Sequence, residues 1–243
     1  MLAFSPLDGA LLIDKPSGPT SHDVVAAVRR KFGIKKVGHC GTLDPNATGL
    51  LILVLGKATR LSERLMSDDK VYEGTLKLGE TTSSYDSDGE LLSSLPVPLM
   101  TLQDISTTAQ SFVGDQMQLP PMVSAVKQNG VPLYKLARKG VEVERKERFI
   151  HIYTFKVNSY EEPFATFRVA CTKGTYVRTL VHDLGQKLGC GAHLTELRRS
   201  ISGKFDVANA LSLDQTLALS TAELEKRVIP MLKLAANLTA AAK

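Results

Sequence analysis

The feature that most constrains this chain is the stretch Gly38–Leu51, where a loop punctuated by glycines runs directly into an apolar strand. Asp44 precedes Pro45, and a residue before proline is driven out of the helical region into an extended conformation. Close backbone approaches that a side chain would block are permitted at Gly38, Gly41 and Gly49. The loop therefore presents a carboxylate. The residues alone leave two interpretations open, a turn in which Asp44 bonds its own backbone and a catalytic carboxylate.

Composition limits the class of protein. The chain has 243 residues, of which 43% are hydrophobic, and this is enough to bury a large core that needs no disulfide cross-links for stability. Three scattered cysteines, Cys40, Cys171 and Cys190, do not form a disulfide framework. No apolar run approaches about 18 residues and no signal peptide is evident, so we expect a cytoplasmic protein without a membrane segment. The net charge of +5 mildly favours a polyanionic partner.

Metal sites are not expected. Cys190 and His193, with His182 nearby, lack the second Cys/His pair that a closed zinc site requires. Asp86 and Asp88 are spaced like the start of a calcium loop, but the position that should carry its last acidic ligand is Val97.

Hydrophobic periodicity predicts strands and helices in no strict alternation, which is typical of an α+β protein. The strands are expected at 9–14, 50–55, 71–78, 149–157 and 164–172. Ser21 is the expected cap of a helix that ends at Gly33, and a later helix should begin near Val177 and end at Gly189. Arg178 falls in the first turn of that helix, where a cation opposes the helix dipole, so a carboxylate partner is the better explanation for it.

Residues 115–147 differ in kind, because they combine prolines and glycines with a dense series of basic residues. Apolar periodicity is too weak there for a core element. The pattern predicts an inserted arm with little apolar surface to bury.

Six motifs, in the same order, resemble those of the TruB family of tRNA pseudouridine synthases: Leu11–Gly18, Gly38–Leu51, Tyr72–Gly74, Gln118–Lys127, Leu133–Gly140 and Lys173–Arg178. The resemblance spans roughly residues 9–200. Two departures are visible, Cys40 in place of a hydroxyl or small residue and Asn46 in place of an apolar one. Neither removes a group that the chemistry needs.

The resemblance implies the pseudouridine synthase fold, a mixed and largely antiparallel sheet with flanking helices and a central RNA-binding cleft. We expect a catalytic domain over 1–205 that carries the arm, followed by a short helical extension over 206–243 instead of a full RNA-binding PUA domain. The implied reaction is isomerisation of the uridine at position 55, in the T-arm loop of tRNA, to pseudouridine.

The resemblance also assigns roles. Asp44 is the expected nucleophile, whether it attacks C1′ or assists departure of the base. Arg178 is its counter-ion, which keeps the Asp44 pKa low. Tyr72 should point inward, stack on the uracil and accept a proton from the sugar. No redox cofactor, metal or nucleotide is required.

The base must leave the RNA stack, and His39 is expected to fill the vacated space or to brace the neighbouring bases. Leu197 should lie under the target ring. Phosphates are assigned to Lys15 and Lys173, and the RNA grip of the arm includes Arg138 and Lys139. The T-arm stem-loop of tRNA is the expected partner of a monomer that needs no obligatory protein partner.

Two other classes of function stay open. One is a catalytic subunit of the guide-RNA-dependent branch of the superfamily. The other is a tRNA-binding RNA chaperone. A hydrolytic glycosidase is disfavoured because the usual flanking pair of carboxylates is not evident.

Overall fold

The computed structural model describes residues 5–124, 127–128, 130–133 and 143–240. The chain divides into two compact units. The first comprises the residues up to Lys70 together with those from Arg198 onward, and the second runs from Val71 to Leu197. Each contains strands and helices, and parallel and antiparallel pairs occur together, so the predicted α+β class with a mixed sheet is confirmed. None of the described helices has the length and apolar character required to span a bilayer.

The first unit is built on β1 (Gly9–Lys15) and β3 (Thr48–Leu55), which pair antiparallel. Every residue from Leu50 to Leu55 is fully buried, so both faces of β3 are covered, as its continuous apolar run predicts. The other elements of this part are β2 (Val37–His39), β13 (Phe205–Asp206), α1 (Ser21–Phe32), a 3₁₀-helix (Gly56–Leu61) and α2 (Ser62–Met66).

Helix α1 begins one residue earlier than predicted. Thr20, not Ser21, is the N-cap, and its hydroxyl accepts from the Asp23 N–H at 3.1 Å. The Asp23 carboxylate in turn accepts from the Thr20 N–H at 2.9 Å, which completes a capping box. Ser21 is thereby released for another contact. Gly33 ends the helix in the left-handed region, as predicted.

The segment after residue 205 is not a purely helical extension. It contains α5 (Leu213–Ala218), α6 (Thr221–Arg227) and α7 (Met231–Ala240), but also two short strands. These strands, β14 (Leu211–Ser212) and β15 (Ile229–Pro230), both pair with β1. The segment is therefore part of the sheet of the first unit.

The sheet strands of the second unit are β4 (Lys70–Leu78), β7 (Gly114–Gln118), β10 (Arg148–Glu161), β11 (Phe164–Cys171) and β12 (Ala192–Ser202). Their order is β12, β4, β11, β10, β7, and the pairs β10–β11 and β10–β7 are antiparallel. β12 enters this unit through its residues before Arg198. Two small hairpins are formed by β5 (Glu80–Thr82) with β6 (Leu91–Ser94), and by β8 (Lys127–Gln128) with β9 (Val131–Pro132).

Helices α3 (Leu102–Gln110) and α4 (Val177–Leu188) supply the apolar layer of the second unit. The buried positions of α4 include Val177, Leu180, Val181 and Leu184, and Gly189 ends the helix, as the periodicity predicts. They pack in one cluster with Phe155 and Phe167 of the sheet. A rigid layer of this kind fixes the position of the first turn of α4.

The predicted boundary of the arm is wrong at its start. Residues 114–118 form β7, which pairs with β10 from Gly114↔Ile152 to Gln118↔Arg148. Backbone pairing, which composition does not report, recruits this polar stretch into the sheet. The part of the predicted arm that includes Arg138 and Lys139 lies outside the described residues.

Candidate active site

The residue before Asp44 is held by a side chain of helix α1. The Ser21 hydroxyl accepts from the Leu43 N–H at 2.9 Å and donates to the Leu43 carbonyl at 3.0 Å. Ser21 is 1% exposed and Leu43 is 3% exposed, whereas Asp44 is only half-buried. The loop is therefore anchored beside Asp44, and the carboxylate-bearing residue itself is left partly accessible.

The residue after Asp44 is held by Lys15, at the end of β1. The Lys15 ammonium donates to the carbonyls of Pro16, Pro19 and Pro45, each at 2.8 Å. Its side chain is fully buried. Burial lowers the pKa of Lys15 to about 8, and the negative charge of Asp44 acts in the opposite direction.

This geometry does not fit the prediction that Lys15 holds a phosphate. An ammonium has three N–H groups, and all three are used within the protein. The positive charge next to Asp44 is instead part of the framework of the loop.

The two ends of the loop are tied together by Arg199. Its guanidinium donates to the Leu50 carbonyl at 2.8 Å and to the Gly41 carbonyl at 3.1 Å, and the residue is 1% exposed. Gly49 has φ of 99° and pairs with Arg199 across the parallel β3–β12 contact. A Cβ there would lie 2.3 Å from the Arg199 carbonyl oxygen, so the predicted close approach at Gly49 is confirmed.

His39 ends β2 and leads into the loop. Burial lowers the pKa of His39, and the neighbouring His22 and Arg199 lower it further. The rings of His22 and His39 meet edge to face with centroids 5.2 Å apart. Next in the chain, Cys40 is fully buried, and burial raises the pKa of its thiol to about 12. Cys40 is thus a packing residue and not a nucleophile.

In the second unit, Arg178 has the carboxylate partner that its place in the helix requires. Its guanidinium lies 3.2 Å from the Asp86 carboxylate and donates to the carbonyls of Ser84 at 3.0 Å and Val123 at 2.8 Å. Arg178 is 4% exposed. A buried planar cation held by three groups is fixed in orientation.

The backbone just before α4 is fixed as well. The buried Gln118 side chain accepts from the Tyr176 N–H at 2.8 Å and donates to the Tyr176 carbonyl at 3.1 Å. Tyr176 is the N-cap residue of α4 and has no side-chain cap of its own. Gln118 therefore stabilises the turn that presents Arg178.

Tyr72 on β4 and Leu197 on β12 are partly buried and pack against the core of the second unit, so the predicted inward orientation of Tyr72 is confirmed. Lys173 is exposed in the turn between β11 and α4. Of the predicted site residues, the first unit therefore contains Asp44, His39 and Lys15, and the second contains Tyr72, Arg178, Lys173 and Leu197.

A metal-dependent site is not indicated by the donor set. Across 5–124, 127–128, 130–133 and 143–240, no three His, Cys, Asp or Glu side chains are grouped to share an ion.

Sequence reasoning did not assign a role to four residues that hold the predicted site residues or their loops within their own units: Ser21, Asp86, Gln118 and Arg199. Asp86 lies in a polar run that is indistinguishable from a solvated turn, and Ser21 stands beside an equally good helix cap. The one available signal was the expectation that Arg178 needs a carboxylate.

The chain matches two family models over most of its length. Residues 29–177 match the N-terminal domain of the TruB family of pseudouridylate synthases, and residues 178–234 match the C-terminal domain of tRNA pseudouridylate synthase B. A relative from Opitutus terrae named tRNA pseudouridine synthase B is 57% identical over 232 residues, 96% of each chain. Another of that name from Syntrophotalea carbinolica is 52% identical over 86% of this chain and 68% of its own.

Solved structures give the same fold. A chain in a Cbf5-Nop10-Gar1 complex superposes with a TM-score of 0.74 at 31% identity, covering 94% of this chain and 61% of that one. A chain of an H/ACA ribonucleoprotein bound to a substrate RNA gives 0.70 at 28% identity, covering 93% and 60%. This protein therefore spans about three fifths of those chains.

Proposed function

This chain belongs to the TruB family of pseudouridylate synthases, and we propose that it isomerises the uridine at position 55 in the T-arm loop of tRNA. The observation that carries the proposal is the Asp44 loop. The residues on both sides of Asp44 are bonded to buried side chains, while the aspartate remains partly accessible. A carboxylate presented in this way suits a reaction at a sugar carbon.

The reaction breaks the N1–C1′ bond and forms a C5–C1′ bond, after which the C5 proton is lost and N1 is protonated. Atoms balance without an oxidant or a cofactor. The Asp44 carboxylate is the proposed anion that acts at C1′. The lowered pKa of the neighbouring Lys15 still leaves most of its ammonium charged at neutral pH, and that charge favours the ionised form of Asp44.

Tyr72 and Arg178 complete the proposed catalytic set. A partly buried ring on a rigid strand is suited to stacking on uracil, and Tyr72 packs against the core in that manner. The guanidinium of Arg178 is already oriented by Asp86, Ser84 and Val123, so it can act as a counter-ion without losing further conformational freedom. These roles rest on the motif resemblance and on how each side chain is held within its own unit.

The proposed RNA contacts rest on the motif resemblance together with charge. His39, whose pKa is lowered by burial, is proposed to fill the space left by the flipped base or to brace the neighbouring bases, and Leu197 is the proposed contact under the target ring. The exposed Lys173 and the arm residues Arg138 and Lys139 are the proposed phosphate contacts.

We also propose that the protein acts as a monomer on free tRNA. The solved relatives at about 30% identity come from a Cbf5-Nop10-Gar1 complex and from an H/ACA ribonucleoprotein, which keeps the guide-RNA-dependent alternative in view. The higher identity to proteins named tRNA pseudouridine synthase B, 57% and 52%, favours the stand-alone reaction.

The test is incubation of the purified chain alone with an unmodified tRNA transcript, followed by mapping of pseudouridine. We expect product at position 55 with the native chain and none with Asp44→Asn, whose tRNA affinity should stay within about tenfold because phosphates dominate binding. Asp104→Asn is the matched control, since it makes the same change at an exposed helix cap.

Each other outcome is informative. Near-native turnover by Asp44→Asn would exclude Asp44 as the nucleophile. Activity that appears only with added guide RNA would support the ribonucleoprotein alternative. Refolding of tRNA by Asp44→Asn would show a chaperone activity alongside catalysis.

A further inference from the structure

We propose that Ser21 is a positioning residue for Asp44, and that hydrogen bonds from residues 15–21 hold the turn 43–45 in place. The proposal rests on the function assigned to Asp44 above. Ser21 is the first residue of α1, and its hydroxyl makes both of its hydrogen bonds to the backbone of one residue, Leu43. Leu43 immediately precedes Asp44.

The two bonds restrain the backbone of Leu43 on both sides of its Cα. The N–H bond at 2.9 Å fixes the peptide that enters Leu43, and the carbonyl bond at 3.0 Å fixes the peptide that joins it to Asp44. Because Ser21 is 1% exposed, water does not replace its hydroxyl without rearrangement. The peptide plane that carries the Asp44 nitrogen is thus tied to the start of a helix.

The other side of Asp44 is tied to the same segment. The Pro45 carbonyl accepts from the Gly18 N–H at 2.9 Å and from the Lys15 ammonium at 2.8 Å. Asp44 itself closes the turn, because its carbonyl accepts from the Ala47 N–H at 3.1 Å. The backbone around the carboxylate is therefore bonded at residues 43, 44 and 45, and the bonds at 43 and 45 come from residues 15–21.

This arrangement explains why Thr20 rather than Ser21 caps the helix. Of the two adjacent hydroxyl residues, Thr20 caps the helix and Ser21 bonds the loop. The capping box of Thr20 and Asp23 orients α1 so that Ser21 faces the loop. Loss of the Ser21 hydroxyl would leave two buried backbone groups of Leu43 unpaired, and the turn would relax to recover them. A displacement of about 1 Å at a reacting group can cost on the order of 100-fold in rate.

The test is Ser21→Ala, measured as single-turnover rate per folded protein on unmodified tRNA. We expect the rate to fall about 10- to 100-fold while tRNA affinity stays within about twofold, because Ser21 is only 1% exposed and its hydroxyl is bonded to Leu43. Hydrogen exchange at the Leu43 amide should accelerate at least about tenfold.

Two comparisons separate positioning from general stability. Ser202→Ala removes the same hydroxyl from a fully buried site where, within the described residues, it has no hydrogen-bond partner, so its rate should equal that of the native chain. Ser21→Thr and Ser21→Val have similar volume, and only the threonine variant should retain the rate and the slow Leu43 exchange.

A Ser21→Ala rate within about twofold of native, or unchanged Leu43 exchange, would overturn the proposal. An equal loss in Ser202→Ala or equal behaviour of the Thr and Val variants would also overturn it. If the native chain makes no pseudouridine, the proposed function fails, but hydrogen exchange at the Leu43 amide still tests independently whether Ser21 restrains the turn.

Discussion

Replacing Gly49 by alanine should destabilise this protein more than the same replacement at Gly114. Both glycines have strongly positive φ, 99° and 112°, so an alanine at either position has the same kind of backbone strain, about 1–3 kcal/mol. The two positions differ in the space available to a Cβ. A Cβ at Gly114 meets no atom within 4 Å, whereas one at Gly49 lies 2.3 Å and 2.8 Å from the backbone oxygen and nitrogen of Arg199.

The additional cost at Gly49 can be sized from these distances. The clashing atoms belong to a strand backbone that pairs with β3, so they cannot swing away as a side chain would. Overpacking of this kind costs about 1–3 kcal/mol. We therefore expect a loss of about 2 kcal/mol for Gly114→Ala and about 4 kcal/mol for Gly49→Ala. For a chain of this size these correspond to drops in Tm of roughly 4–8 °C and 8–16 °C.

The assay is thermal unfolding of the native chain and both variants, followed by circular dichroism at matched concentration. Pseudouridine formation below the lower Tm gives a second readout, since Gly49 lies at the end of the Asp44 loop. Equal Tm losses in the two variants would refute the argument from space and leave backbone strain as the whole effect.

Two further predictions concern charge. The Lys15 pKa is about 8 in the folded state and near 10.5 in the unfolded state, so the unfolded state binds more protons between these pH values. In urea titrations, the stability of the native chain relative to Lys15→Met should therefore rise by about 2 kcal/mol between pH 7 and 9.5. A constant difference would contradict the low pKa. Replacing Arg138 and Lys139 together by alanine should weaken tRNA binding and reduce its salt slope by up to about two units, while the same change at Lys226 and Arg227 of α6 should not; identical slopes in affinity-versus-salt measurements would argue against a phosphate grip.

Much of the framework could be predicted because it follows from local pattern. The apolar face of α4 and its glycine stop specify a helix without tertiary information. Likewise, the run Leu50–Leu55 can only be a buried element. The carboxylate at Asp44 was found through proline and glycine neighbours together with the family resemblance.

The parts that were missed depend on partners far away in sequence. Lys15 is a charged residue, and no local rule shows that three proline carbonyls would surround its ammonium. Asp86 pairs with Arg178, which lies more than ninety positions later in the chain. Ser84, which accepts a hydrogen bond from the same arginine, is 94 positions away from it. Gly114–Gln118 became a strand because β10 offered a free edge, which composition does not reveal.

The tie between Arg199 and the Leu50 carbonyl has a consequence for synthesis of the chain. The two residues are 149 positions apart, so at about 5–20 residues per second the ribosome needs roughly 7–30 s to supply the arginine after the loop has emerged. During that interval Gly41 and Leu50 lack the guanidinium that joins them in the finished protein. A nascent chain released early, before Arg199, should therefore contain the whole Asp44 motif and still lack a completed loop.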